Sequence, residues 1–498
     1  MKASARQNVK WVALSQSGRL LIHLLALLIL ARLLPPADYG LMAMAMVVTN
    51  FAMLIRDLGT SAAIIQRNEL DDATLNLVFW LNMGVGIGLA ALIALLAPVI
   101  ATHGFRSPVL TPVLWLLALS FPLASSTALH QALLERASSF STLARIEILS
   151  ASAGLILAIV AALLGAGVYS LVIQTLATLL TSSIQLWLAS PWMPSRRQRA
   201  DLHSAKGLFQ FSGNLTAFNV INYFFRNTDA MLIGSQLGAV VLGAYSLANR
   251  IMLFPTQSLA FVSSRSLYPI MSRQQTQLPD MRTLYLHSLS VISTLVFPLM
   301  LGLTMVSDEF VRLALGETWH TVGILLRWLA PTAILQALVA TTGTVFMALG
   351  RTKTLMWLGV LGSILHVAAF WIGVQFNIEV FVQCVLIASL INALPPLSLT
   401  LRYLGGSVSA LLQAIAAPAL AATGMALMLF TLAPWFSARL PSPGWGLLLL
   451  KIALAALTYS LLMLLFGRRH LEQLLGRPLR LPGRVPSFPS KGQHDDDV

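Results

Sequence analysis

Arg19, Arg56, Arg226, Arg250 and Arg327 lie inside apolar stretches of this 498-residue chain that are long enough to cross a bilayer. A charged side chain at mid-bilayer costs roughly 2.5–3.5 kcal/mol, so five facing lipid would cost on the order of 12–17 kcal/mol, more than a typical fold's margin. Such residues are expected to face a wet cavity or a partner instead. A guanidinium stays charged at physiological pH and grips phosphate through two parallel hydrogen bonds. A cavity walled by arginines therefore suits an anionic passenger, and a diphosphate head group in particular.

Each candidate also has a plainer reading. Ser15, Arg19 and His23 follow one another at spacing four and share one face of a helix. Arg19 is mid-span, too deep for easy snorkelling, and bonding to neighbouring carbonyls is its alternative to a cavity. His23 is either a proton acceptor or a hydrogen-bonded packing histidine. Asn219, Asn222, Arg226 and Asp229, spaced three, four and three, form a polar stripe on one helical face. Arg226 and Asp229 are placed to pair, which fits a structural or gating role as well as substrate contact. Arg56 adjoins Asp57, which aligns with Asn50 and Ser61; interfacial anchoring competes for Arg56. Arg250, mid-span beside Asn249 and before Pro255, ranks with Arg19. Arg327, near an outer helix end, belongs at the interface, and His366 in the core. The candidate substrate-binding set is thus Arg19, Arg56, Arg250 and Arg226. Candidates for coupling or gating are His23, Asp57, Asp229, Asn219 and Asn222.

The elements that must position these residues follow from composition. Hydrophobic residues make up 57% and charged residues 10%, outside the range of soluble domains. Apolar spans fall at about 9–33, 39–65, 76–101, 109–131, 142–164, 168–190, 207–233, 238–268, 284–306, 321–349, 353–374, 378–402, 409–432 and 445–466. The expected fold is all-α and integral to the membrane, with about fourteen transmembrane helices. The eighth and tenth spans are long and hold Pro255 and Pro331, where kinks are expected. Lys2, Arg6 and Lys10 precede a first span too long for a signal peptide and followed by no small-residue cleavage site, so it reads as a retained helix. With the N-terminus inside, 22 Lys and Arg fall on the cytoplasmic side and five (Arg32, Arg106, Arg312, Arg439 and Lys451) on the other. Both termini are therefore expected in the cytoplasm. The net charge of +14 is spread over these loops and forms no single patch, which argues against a nucleic-acid partner. The lone Cys384 excludes an internal disulfide and reads as a small buried hydrophobe.

Loops are short. The longest outer one is expected around Ser307–Thr321, carrying Asp308, Glu309 and Glu317; the longest inner one carries Arg196, Arg197 and Arg199. The two halves echo each other: Leu34-Pro35-Pro36-Ala37-Asp38-Tyr39-Gly40-Leu41 corresponds to Leu237-Gly238-Ala239-Val240-Val241-Leu242-Gly243-Ala244, about 203 positions later, and Ser17-Gly18 to Ser212-Gly213. This suggests two pseudo-symmetric six-helix lobes with the substrate site between them. The expected divisions are an N-lobe at 1–190, a linker at 191–206, a C-lobe at 207–402, two further helices at 409–466 and a tail at 467–498. The tail should hold a short amphipathic stub at 468–475 and then disorder. Phosphate-binding Gly-Lys loops, paired cysteines or histidines at metal spacing and nucleophile motifs are missing, so no catalytic residue, metal or cofactor is expected.

The run Ala31-Arg32-Leu33-Leu34-Pro35-Pro36-Ala37-Asp38-Tyr39-Gly40-Leu41 resembles the first outer turn of the bacterial polysaccharide transporter family. Asp57-Leu58-Gly59-Thr60-Ser61-Ala62-Ala63-Ile64-Ile65-Gln66-Arg67 and Phe79-Trp80-Leu81-Asn82 are similar to its colanic-acid-exporter branch. The likeness is specific over about the first 85 residues and looser at Phe211-Ser212-Gly213 and Ala244-Tyr245-Ser246-Leu247-Ala248. That family shares a superfamily with Wzx-type O-antigen flippases, lipid II flippases and MATE drug exporters. The resemblance implies an inner-membrane flippase working by alternating access on undecaprenyl-diphosphate-linked oligosaccharide, for exopolysaccharide, capsule or O-antigen. It also implies a cationic central cavity, membrane lipids around the protein, and polysaccharide polymerase and chain-length machinery as partners. In lipid II flippases helices thirteen and fourteen form a groove for the lipid tail. A cation-coupled multidrug exporter is the rival within transporters, but Asp57 and Asp229 are the acids expected at mid-helix, and both lie near arginines. A membrane polymerase or ligase is the rival among enzymes, and no outer loop here is long enough for its site.

Overall fold

Long apolar runs with few interruptions give this chain one regular option in lipid, the helix, because a helix bonds its own backbone throughout. The structure, a computed structural model, describes residues 5–56, 64, 71–195, 222–275, 277–439 and 444–467. In the first half the helices are α1 (Ala5–Leu33), α2 (Pro36–Arg56), α3 (Asp72–Val99), α4 (Leu110–Arg136), α5 (Phe140–Leu163) and α6 (Tyr169–Ala189). The second half has α7 (222–232), α8 (Gly238–Arg273), α9 (Leu278–Ala314), α10 (His320–Ala348), α11 (Thr352–Val374) and α12 (Ile378–Tyr403). Two more follow, α13 (Val408–Arg439) and α14 (Trp445–Phe466). Among the described residues thirteen helical stretches are long and apolar enough to span a membrane. One of them, Asn222–Leu253, contains both α7 and the start of α8. Those two part at Gly238, whose φ of +82° suits glycine, so the expected fourteen helices are present.

Pro255 and Pro331 lie within α8 and α10, each of which is one continuous helix. Two expectations need amendment. The supposed outer loop at Ser307–Thr321 is mostly helix: α9 runs to Ala314, and Glu317–Trp319 form a 3₁₀ turn leading into α10. Cys384 is free but half-buried. Residues 196–206 of the linker, Phe211, Ser212 and Gly213, the stub at 468–475 and the rest of the tail lie outside the described residues, as do most of the positions from Asp57 to Arg67.

The halves repeat one packing scheme. In the first, α2 packs on α4, α3 on α4, α4 on α6 and α5 on α6; in the second, α8 packs on α10, α9 on α10, α10 on α12 and α11 on α12. Every pairing recurs six helices later, and α2 meets α8 across the middle. The appended α13 and α14 pack on each other and on α9.

The cores show how the halves are joined. One large core includes Leu30, Tyr39, Met44, Leu114, Leu242, Tyr245, Trp319, Val322 and Phe381, drawn from both halves at the end holding the α1–α2 and α7–α8 turns. At the opposite end the halves have separate cores. One contains Leu75, Val78, Phe79 and Leu129, and the other Met281, Tyr285, Val345 and Leu401. Among the described residues the lobes thus share a core at one end and have separate cores at the other. In the orientation expected from the Lys and Arg distribution, the end with the shared core is the outer one. Leu95, Leu164, Leu188, Leu420, Phe430 and Phe466 are exposed around the periphery, an apolar surface suited to lipid tails.

Candidate functional site

Charged residues in these helices fall into two groups. At the outer end three cations have found acids. Arg327 in α10 is paired with Asp308 in α9, and Arg312 lies 3.8 Å from Glu317. Lys451, in the second turn of α14, is buried against Glu309 of α9, with its ammonium 5.3 Å from the Phe436 ring centre. Extending α9 through 307–314 puts Asp308 and Glu309 on neighbouring faces, so one acid reaches α10 and the other α14. Arg327 is half-exposed at this end, as expected.

Deeper in, the arrangement differs. Arg250 of α8 is accessible to water, on the helix that packs against α2 of the other half. It interacts electrostatically with Tyr39 of α2, across the division between lobes. Arg19 and Arg226 are exposed at mid-sequence in α1 and α7, and among the described residues neither forms an ion pair. Arg56 closes the described part of α2 and is half-buried. His23 is exposed, and its Nδ1 donates to the Arg19 carbonyl at 2.8 Å, which leaves Nε2 free of that bond. Ser15 is instead buried and returns its hydroxyl to the Val12 carbonyl. Next to Arg19, Gly18 lets α1 rest on Ile148 of α5.

Asp229 does not pair with Arg226. Its Oδ2 accepts from the Tyr245 hydroxyl at 2.7 Å, and its Oδ1 accepts from the Ala230 backbone N–H. His366 of α11 acts on it electrostatically. That histidine donates from Nδ1 to the Gly362 carbonyl at 2.8 Å and meets the Ser389 hydroxyl of α12 at 3.1 Å. A carboxylate, a phenol, an imidazole and a hydroxyl from four helices are thus collected within the C-lobe. Asn222 is exposed on α7, while Asp57 and Asn219 lie outside the described residues.

Two further residues carry weight here. Tyr245, read only as part of a motif, becomes the partner of Asp229 because the turn at Gly238 folds α8 back on α7. Glu147 adds a third acid: α5 begins at Phe140, so Glu147 lies about 10 Å along the helix, half-buried, with Oε2 enclosed and without a hydrogen-bond partner. The expected span start at 142 had put it near the interface.

Further contacts join the halves at the outer end. Arg32 at the end of α1 donates Nε–H to the Ala314 carbonyl at 2.8 Å and also reaches Leu313, capping the C-terminus of α9, where a cation is favoured. Trp319 is fully buried, donates to the Ala31 carbonyl at 2.6 Å and meets Tyr39 edge to face at 5.2 Å.

Comparison with known proteins agrees with this architecture. Residues 29–323 match the family described as polysaccharide biosynthesis protein. The lipopolysaccharide biosynthesis protein WzxC of Escherichia coli (strain K12) is 28% identical over 372 residues, 74% of this chain and 75% of that protein. The teichuronic acid biosynthesis protein TuaB of Bacillus subtilis (strain 168) is 28% identical over 426 residues, covering 85% and 88%. Among solved structures, the lipid II flippase MurJ in an inward closed conformation superposes with a TM-score of 0.71 over 93% of this chain and 100% of that one, at 15% identity. This multi-pass membrane protein, with its MurJ-like fold, belongs to the polysaccharide biosynthesis protein family of transporters, the family that its first outer turn resembles.

Proposed function

We propose that this protein flips undecaprenyl-diphosphate-linked oligosaccharide repeat units from the cytoplasmic to the outer leaflet of the inner membrane, with both termini in the cytoplasm. The observation that carries the proposal is Arg250, charged and water-accessible, on the helix that packs against α2 across the division between the lobes. A diphosphate entering there would meet a guanidinium able to hold it bidentately. Arg19, Arg56 and Arg226 extend the cationic wall as the head group moves. Completed units would then pass to a polymerase and its chain-length partners. Asp229, with Tyr245 and His366, is the leading coupling group, since a carboxylate so placed can exchange a proton as the lobes rock; His23, Asp57, Asn219 and Asn222 remain in the same role as secondary candidates.

The test is complementation of a deletion strain, with lipid-linked glycan assayed in each leaflet. The deletion should accumulate complete, unpolymerised units facing the cytoplasm. Arg250→Ala and Arg19→Ala should each lower outward delivery by about tenfold, the effect of losing one charge-assisted contact. Full export by both variants would sink the cationic-cleft reading.

A further inference from the structure

We propose that the outer gate of this transporter is a two-fold seam between Gly40 of α2 and Gly243 of α8, which must close without a single Cβ in the way. A Cβ built on Gly40 would fall well inside van der Waals contact of the Ala239 carbonyl oxygen. One built on Gly243 would do the same to the Pro36 carbonyl oxygen, and would lie 2.9 Å from the Gly40 nitrogen. Pro36 and Gly40 recur as Ala239 and Gly243, both 203 positions on. The contact is therefore reciprocal: each half sets its glycine on the other half's carbonyl four residues upstream, an isologous joint within one chain. Neither obstruction is a flexible side chain that could swing aside, because both are backbone. Small residues four apart are what lets two membrane helices approach so closely.

The seam lies in the core common to both lobes, capped by the Trp319–Ala31 and Arg32–Ala314 bonds, while the described residues of the inner ends form separate cores. Alternating access requires this end to part, so the proposal rests on the transporter reading. It does not depend on the cargo. A joint of backbone against backbone has two arrangements, closed to contact or open, and a methyl group removes the first. Alanine at either glycine should hold the outer end ajar and deprive the cytoplasmic face of its loading state.

Ser246, half-buried one turn further along α8, donates to the Gly243 carbonyl at 3.1 Å and serves as a reporter. In a Cys384→Ser, Ser246→Cys protein, an impermeant maleimide is applied to the outer face of right-side-out membranes. Gly40→Ala and Gly243→Ala should each raise labelling and lower glycan export by roughly tenfold, the population shift that overpacking of this size can produce. Gly84→Ala and Gly88→Ala, where a Cβ meets nothing within 4 Å, should change neither. Unchanged labelling in both seam variants, or increased labelling with undiminished export, overturns the proposal. If an alanine variant fails to accumulate, Trp319→Phe loosens the same end by removing atoms: it should also raise labelling, and no rise overturns the gate. Because labelling is read without cargo, a wrong glycan assignment would leave it intact, whereas a wrong gate would not.

Discussion

The outer and inner ends of this molecule differ in what their halves share. At the outer end one core runs through both lobes, with α2 laid against α8 and tryptophan and arginine bonds crossing the division. At the inner end each lobe has a core of its own among the described residues. The difference assigns the work of holding the described parts of the lobes together to a short outer segment. It also separates the charges. Arg312, Arg327 and Lys451 at the outer end have carboxylates beside them, whereas Arg19, Arg226 and Arg250 have none among the described residues.

Removing the largest side chain from the shared core should break the comparison most severely. Trp319→Ala deletes a fully buried indole, its bond to Ala31 and its contact with Tyr39, and should cost about 3–5 kcal/mol, read as thermal unfolding in detergent. An equally large Phe79→Ala loss should leave the lobes joined, because Phe79 serves the N-lobe's own inner core; cross-lobe accessibility then separates the two. Next comes Lys451. Lys451→Met strands Glu309, whose Oε2 is already enclosed without a partner, and should cost roughly 3 kcal/mol. Lys451→Met with Glu309→Gln should recover most of it. A double variant no better than the single would mean that α14 is held by packing alone.

Much of this was legible in the chain because lipid is an unforgiving solvent. Fourteen apolar runs could become little but helices, and the offset of 203 between Pro36-to-Gly40 and Ala239-to-Gly243 announced a repeat. That the repeated turns touch each other was not legible, since similarity of two segments says nothing of their distance. Nor were the charge pairings. The Ser307–Thr321 stretch looked like a loop because its acids interrupt the apolar run, yet those acids are neutralised by α10 and α14, so α9 can continue through them. Asp229 and Arg226 sit on one helical face at spacing three, but the carboxylate turned to Tyr245, a residue on the next helix that periodicity within α7 could not identify. Arg19 and Arg250 were visible as anomalies in hydropathy, and both are exposed to water.

Smaller effects sharpen the distinction between buried and rim charges. Tyr245→Phe removes the hydroxyl that donates to Asp229 and should destabilise the C-lobe by about 1–3 kcal/mol, the penalty for an enclosed acceptor losing its donor. Asp229→Asn should be milder, since an amide can accept from the Ala230 N–H and donate to the Tyr245 oxygen; greater damage from Asn would mean that the charge itself is required. The smallest effect belongs to Arg327. Its side chain and that of Asp308 are 52% and 40% exposed, so water and salt already screen the pair. Arg327→Gln should therefore cost less than about 1 kcal/mol, and the difference from the parent protein should shrink further at high salt. Lys451→Met, by contrast, should keep its penalty at any ionic strength, because its pair is enclosed between α9 and α14 where salt does not reach. Equal salt sensitivity in the two variants would erase the division between the rim and the interior of this end.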